Sequence, residues 1–369
     1  MDKIKRFVEC TIPISQCNLH CSYCYVIQEN RRNTEVNQFR CTPEEIGRAF
    51  SPNRWGGLML VNLCAFGETL LLKTLPDITY EILKQGHYVN ITNNGTITER
   101  IKQFTAFPPE MRNRLCFAFS LHYIELKKRG LLQTFSDNVH MVHEAGCSFL
   151  VQLNLCDEYI ECIDEIKEFC LKEFGAYPQV ALTRREGKGY SIFTSYSDSE
   201  YIEYAKTFDS PLFDFTLKNF KVKRKEFCYA GDWSFKLDLA TGNLRSCYFS
   251  PPFYNIYDNI NEPIKKSIVG NNCGNSYCVN SSHFMSLGII PSVDCPSYVA
   301  LRDRNQTWYQ EEMREFLSGK LSDNNKQYNA FEQKMINYKF IWQYRLKKKL
   351  RSLPKRIIKK MIRLLGFNS

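Results

Sequence analysis

Through its first half the chain alternates short apolar runs with amphipathic stretches. The runs are strand-sized and predict strands over 7–14, 58–65, 88–92, 115–121, 148–155 and 179–183. The stretches between them repeat apolar positions at helical spacing. They predict helices over 43–50, 70–85, 97–104, 135–145 and 158–174, with another near 199–207. A strand followed by a helix, repeated, means parallel strands joined by crossover helices. Six such units are too few for a closed eight-stranded barrel. The expected fold class is therefore α/β, an open, partial (βα)6 TIM-like barrel.

Near Lys218 the pattern changes. Lys218-Asn219-Phe220-Lys221-Val222-Lys223-Arg224-Lys225 reads as a basic linker or solvated edge. Two further apolar runs, 233–239 and 244–249, flank Ala240-Thr241-Gly242-Asn243, a hairpin signal with Gly and Asn at the turn. Residues 255–291 are loop-rich. Three parts follow: a body over 1–217, a small hairpin domain over 218–305, and a helical region with a basic tail over 306–369.

With 44% hydrophobic and 24% charged residues the chain reads as globular, neither disordered nor fibrous. No run of eighteen apolar residues predicts a spanning helix. The first residues lack the apolar stretch of a secretory signal, so a cytoplasmic protein is expected. In that compartment sixteen cysteines point to metal or catalytic use rather than to disulfides. Cys41, Cys64, Cys116, Cys147, Cys156, Cys162 and Cys170 sit in apolar patterns and read as small buried hydrophobes. The net charge of +10 is concentrated at one end. Residues 333–369 hold twelve Lys or Arg and no acidic residue, and the rest carries a net charge of −2. A nucleic-acid groove across the whole protein is therefore not expected.

One segment stands out chemically. Ile12-Pro13-Ile14-Ser15-Gln16-Cys17-Asn18-Leu19-His20-Cys21-Ser22-Tyr23-Cys24-Tyr25 follows the first strand and spaces its cysteines C-x₃-C-x₂-C. Three thiolates on one loop can hold three irons of a 4Fe–4S cube and leave the fourth iron open, as a catalytic centre requires. A structural zinc site with Cys10 or His20 as fourth ligand is the competing assignment.

This loop resembles that of the radical S-adenosylmethionine (SAM) superfamily, whose signature has the same spacing and an aromatic residue before the third cysteine, here Tyr23. The resemblance implies that the open iron chelates SAM. One electron then cleaves it to a 5′-deoxyadenosyl radical, which abstracts hydrogen from an organic substrate. An electron donor such as flavodoxin or ferredoxin is implied with it. Further motifs fall in the family's order. Cys64-Ala65-Phe66-Gly67-Glu68-Thr69 resembles the G-G-E-P turn that receives the SAM amino group, with Gly67 and Glu68 matching and Phe66 and Thr69 departing. Thr92-Asn93-Asn94-Gly95 resembles T-N-G, which makes Asn93 a candidate. Ser120 at the fourth strand end, Asn154 at the fifth and Arg129 complete the implied SAM contacts, with Arg184 or Arg185 as alternatives to Arg129 for the carboxylate. Open α/β sheets bind ligands at these strand ends.

Five cysteines remain in the later part. Cys228-x₁₃-Gly242-x₄-Cys247 resembles the opening of the SPASM and twitch auxiliary-cluster domains. The hairpin brings its ends together, and Cys273 and Cys278 would complete four ligands. A second 4Fe–4S cluster of twitch-like type is implied, with Cys295 as a substitute ligand or a free thiol and a zinc site on the same thiols as the alternative. His122 and Tyr248 are the candidate catalytic side chains.

The tail, 354–365, pairs basic and apolar residues with Ile357, Ile358, Met361, Ile362 and Leu365 on one helical face. It suits an anionic membrane surface, a partner groove, or docking on the body. The reading for function is radical chemistry on a small organic substrate, a sugar or sugar conjugate. This rests on the single auxiliary cluster and on a resemblance to radical SAM proteins associated with surface polysaccharides. Peptide or protein modification, as in SPASM maturases, is the first alternative. A peptide-recognition domain before the cluster loop is not expected, because that loop begins at residue 17. A non-enzymatic metal-binding interaction protein is the second alternative.

Overall fold

The six apolar runs become parallel strands: β1 Arg6–Ile12, β2 Met59–Ala65, β3 Tyr88–Asn93, β4 Leu115–Ser120, β5 Ser148–Asn154 and β6 Gln179–Ala181. They hydrogen-bond in chain order. This is a computed structural model, and it describes residues 3–32, 38–187 and 190–352, without the side chains of 343–352. The 354–365 segment lies outside the described residues.

Because side chains alternate across a strand, the register separates two faces. Leu63, Ile91, Phe117 and Phe119 turn outward. There Phe117 meets Phe104 of the helix Thr98–Thr105, and Phe119 meets Phe135 of the helix Leu132–Glu144. The inner face is more polar. Glu9, Asn62 and Asn90 stand in register and are joined by hydrogen bonds of 2.9 and 2.5 Å. Toward the carboxyl ends the same face presents Cys64, Thr92, Ser120, Gln152 and Asn154.

The other end of the sheet is sealed by the later chain. Trp308 accepts the Phe149 N–H on its carbonyl and packs on the Phe149 ring, and Phe316 stacks on Tyr88 at 3.6 Å. The carboxyl ends are thereby left as the open mouth.

A short antiparallel pair, β7 Arg184–Arg185 and β8 Ser191–Ile192, follows β6. β9 Ser234–Asp238 then returns parallel to β1, and β10 Asn243–Arg245 and β11 Pro252–Asn255 extend that edge. One nine-stranded sheet thus crosses the expected boundary at 218, and it stays open at β6 and β11. Gly242 turns the β9–β10 hairpin with a φ of 78°, and a Cβ there would lie 2.4 Å from the Tyr257 ring.

Three elements depart from the sequence pattern. The helix expected over 70–85 begins only at Leu75, with Pro76 in its first turn, where the missing N–H is harmless. The stretch 158–174 divides into a 3₁₀ turn, Asp157–Cys162, and a helix, Ile163–Phe174. Lys218 belongs not to a linker but to the helix Pro211–Asn219, whose Ser210 cap accepts the Phe213 N–H at 3.3 Å.

Candidate active site

The three-cysteine loop leaves β1 at the open mouth and is fixed there by its neighbours. The Gly67 N–H donates to the Ile14 carbonyl at 2.8 Å and the Glu68 N–H to the Gln16 carbonyl at 2.7 Å. A Cβ on Gly67 would lie 1.8 Å from the Gln16 oxygen, so only glycine permits this approach. Asn94 donates to the Asn18 side chain at 2.8 Å and reaches the Cys17 sulfur at 3.8 Å. Arg32 donates to the carbonyls of Cys17 and Leu19. The His20 N–H donates to Glu125 at 3.0 Å.

Cys17, Cys21 and Cys24 line one cavity of about 400 Å³ with Glu68, Asn93, Ser120 and Asn154. The Cys21 thiol is pushed up to about 12, first by burial and then by Cys17 and Cys24 beside it. Burial also raises Cys17. Neither Cys10 nor His20 lines this cavity, and both fall away as fourth ligands. Cys64, expected as a core hydrophobe, is instead in the wall, with its thiol on the Ala65 carbonyl at 3.4 Å. Among the described residues no three His, Cys, Asp or Glu side chains gather tightly enough for a single metal ion. A 4Fe–4S cube binds each thiolate on its own iron, so thiols spread around a cavity fit that group.

Glu68 is fully buried, and its two carboxylate oxygens accept the N–H groups of Leu70 and Asn94, both at 2.8 Å. Burial nevertheless raises it to about 7, outweighing those two bonds. Asn93 lines the cavity, but its amide serves the turn: Oδ1 accepts the Gly95 N–H at 2.8 Å and Nδ2 donates to Ile91. His122 also lines the cavity. Its Nδ1 lies 2.6 Å from the Tyr23 hydroxyl, which in turn lies 3.1 Å from that of Tyr159. Burial lowers His122 to about 4, so at neutral pH it is an uncharged imidazole.

Arg129 is elsewhere. It ends the helix Tyr123–Lys128 in a surface pair with Glu125 at 2.6 Å and does not line the cavity. The cavity arginines are Arg32 and Arg184. Arg184 is held by Glu186 at 2.9 Å and by the Val279 carbonyl at 2.9 Å. Arg32, Asn94 and Gln152 were not singled out from sequence. No motif marks Arg32, and only the register with Ser120 brings Gln152 to the wall.

A second cavity, of about 410 Å³, gathers Cys228, Cys247, Cys273 and Cys278. Cys228 and Gly270 exchange backbone hydrogen bonds at 3.1 and 3.0 Å, which brings the Cys273 loop to the hairpin base. Burial raises Cys228, Cys247 and Cys278, and in each case the neighbouring cysteines push further. Cys295 does not line this cavity. Tyr248 lies here, next to Cys247, and not in the first cavity. Lys236 Nζ sits 4.2 Å from the centre of its ring, and its hydroxyl accepts from Asn280 at 2.7 Å. Cys278, Val279 and Asn280 form a wall common to both cavities.

A three-cysteine loop after β1, an acidic turn after β2 and polar ends on β3 to β5 surround one cavity. The fold is α/β, an open sheet that is parallel from β1 to β6.

No family model and no curated protein sequence matches this chain. Among solved structures it is similar to SuiB from Streptococcus suis, at 15% identity and a TM-score of 0.47, over 70% of this chain and 65% of that one. The alignment thus spans just under two thirds of SuiB. A SuiB structure bound to S-adenosylmethionine matches at 13% identity and a TM-score of 0.49, over 90% and 78% of the two chains. The structure of anSMEcpe with bound AdoMet and the Cp18Cys peptide matches at 14% and 0.49, over 69% and 78%.

Proposed function

We propose that this chain is a radical SAM enzyme that acts on a small polar organic substrate, a sugar or sugar conjugate. One observation supports this most. The cysteines of the loop share a single cavity with the side chains at the ends of β2 to β5. Cys17, Cys21 and Cys24 would hold the cluster and leave one iron for SAM. When bound there, that cluster would supply the electron for SAM cleavage.

The chain's own residues then bind and orient. Glu68 stiffens the turn that faces the SAM amino group and can still accept a hydrogen bond from it. Asn154 is the candidate for the ribose and Ser120 for a further SAM contact, and Arg184, in the cavity wall, takes the place of Arg129 as the candidate for the carboxylate. Beyond them, Thr183, Glu186, Thr216 and Ser282 give the cavity hydrogen-bonding groups suited to a hydroxyl-rich substrate. Neutral His122, steadied by Tyr23, is the candidate for proton handling. Cys228, Cys247, Cys273 and Cys278 would hold the auxiliary cluster one wall away, and a flavodoxin or ferredoxin would supply electrons.

The test is anaerobic reconstitution followed by dithionite and SAM. Wild-type protein should release 5′-deoxyadenosine, and the Cys17→Ala/Cys21→Ala/Cys24→Ala variant should release none. Release by that variant would remove the chemistry from this loop. Deuterium transfer into 5′-deoxyadenosine from labelled sugar conjugates supports the substrate class. Transfer from labelled peptides alone would replace it with peptide modification.

A further inference from the structure

The helix Ala330–Ser352 has two faces of different fate. One is docked. Gln333 donates to the Tyr328 carbonyl at 2.9 Å, and Ile336 packs on the core. Asn337 exchanges hydrogen bonds with Asn271 and Asn272, and Phe340 lines the second cavity.

The opposite face carries Phe331, Met335, Tyr338 and Trp342, at spacings of four, three and four, which place them in one stripe. Their exposures are 72, 53, 68 and 59%. Exposed single hydrophobes are ordinary on a protein surface, but a contiguous aromatic stripe is not. The charge around it is mainly basic, since Glu332 beside Phe331 is paired with Lys326 at 3.1 Å. Lys334 and Lys339 are exposed on either flank, and from residue 333 onward the sequence holds twelve basic residues and no acidic one.

We propose that this face docks on an anionic lipid bilayer. A basic helix with an aromatic face lies in the headgroup region, burying its rings while its cations meet lipid phosphates. Trp and Tyr suit that depth because one end of each ring is apolar and the other polar. An acidic protein groove would also accept Tyr and Trp, but the twelve basic residues without an acidic one over 333–369 favour the lipid surface. The proposal is independent of the cluster chemistry, so failure of either leaves the other standing. It would turn the auxiliary-cavity side toward the membrane, because Phe340 joins that cavity to the same helix.

The experiment uses the full-length, cluster-loaded chain with vesicles of phosphatidylglycerol and phosphatidylcholine, and with phosphatidylcholine alone. Wild type should co-sediment with the anionic vesicles and be released by salt, since the attraction is screened. The Phe331→Ser/Met335→Ser/Tyr338→Ser/Trp342→Ser variant should partition about ten-fold or more weakly. Of the four tryptophans, Trp55, Trp233 and Trp308 are buried. A vesicle-induced blue shift should therefore vanish in Trp342→Phe, which should still bind. If the four-fold variant loses its helix by circular dichroism, the single variants Met335→Asp and Tyr338→Asp give the same reading. Absence of binding, equal binding to neutral vesicles, or equal binding by the stripe variants would overturn the proposal. So would a wild-type dimer that the stripe variants abolish, which would make the face a contact between two copies.

Discussion

The Glu68 carboxylate accepts the backbone N–H of Asn94 at 2.8 Å, and the Asn94 amide in turn reaches the Cys17 sulfur at 3.8 Å. The turn after β2, the end of β3 and the first cluster cysteine are thereby tied into one unit. The sequence motif makes Glu68 a candidate SAM contact, and the fold shows it acting as a brace.

That brace predicts a pH dependence. Burial raises Glu68 to about 7 from an ordinary value of 4.5. The folded protein therefore holds a proton there between those values that the unfolded chain has lost. Its contribution is full below about 4.5 and falls as pH rises to about 7, by on the order of 3 kcal/mol. Urea unfolding of the cluster-free protein should show this slope in wild type and not in Glu68→Gln. An identical slope in both would remove Glu68 as its source.

Gly67→Ala tests the close approach to the cysteine loop. Its Cβ would meet the Gln16 carbonyl, a backbone atom that cannot rotate away. A loss of about 1–3 kcal/mol is expected from such crowding, together with reduced iron at the first site. Thermal unfolding and iron analysis would read both. Unchanged values would mean that the loop has slack.

Cys295 and the auxiliary thiols should behave differently. Reconstituted wild type should carry about eight irons. Replacing Cys228, Cys247, Cys273 and Cys278 together by Ser should remove about half of them. Cys295→Ala should keep all of them, because that thiol lies outside the cavity. Loss of iron in Cys295→Ala alone would place it among the ligands.

Arg129 and Arg184 form a contrasting pair. Arg129→Ala removes an exposed ion pair, so stability should change by no more than about 0.5 kcal/mol and SAM affinity not at all. Arg184→Ala removes a cation from the cavity wall and should weaken SAM binding by on the order of ten-fold. Calorimetry on the two variants checks the difference. The reverse pattern would restore Arg129 to the site.

The sequence by itself determined the parallel strands, their order and the loop that carries Cys17, Cys21 and Cys24. These are local facts. Strands of three to seven residues joined by crossover helices leave few topologies open, and the expected strands agree with β1 to β6 to within about two residues at each end. The hairpin between Cys228 and Cys247 was legible for the same reason, because Gly242 marks its turn.

Contacts between segments remote in the chain were decided only by the tertiary structure. Arg129 stands shortly after Ser120, yet its helix turns it to solvent, whereas Arg32 and Arg184 come to the cavity from segments that carry no motif. Asn93 and Asn94 are indistinguishable as letters. The turn consumes the amide of one and aims that of the other at Cys17. Cys64 and Cys116 share a similar apolar context, but Cys64 lies at the open end of its strand and Cys116 in the sealed interior. The aromatic stripe from Phe331 to Trp342 was no more visible beforehand. Helical spacing predicts a face, but only the docking of Gln333, Ile336, Asn337 and Phe340 shows which face the body leaves uncovered.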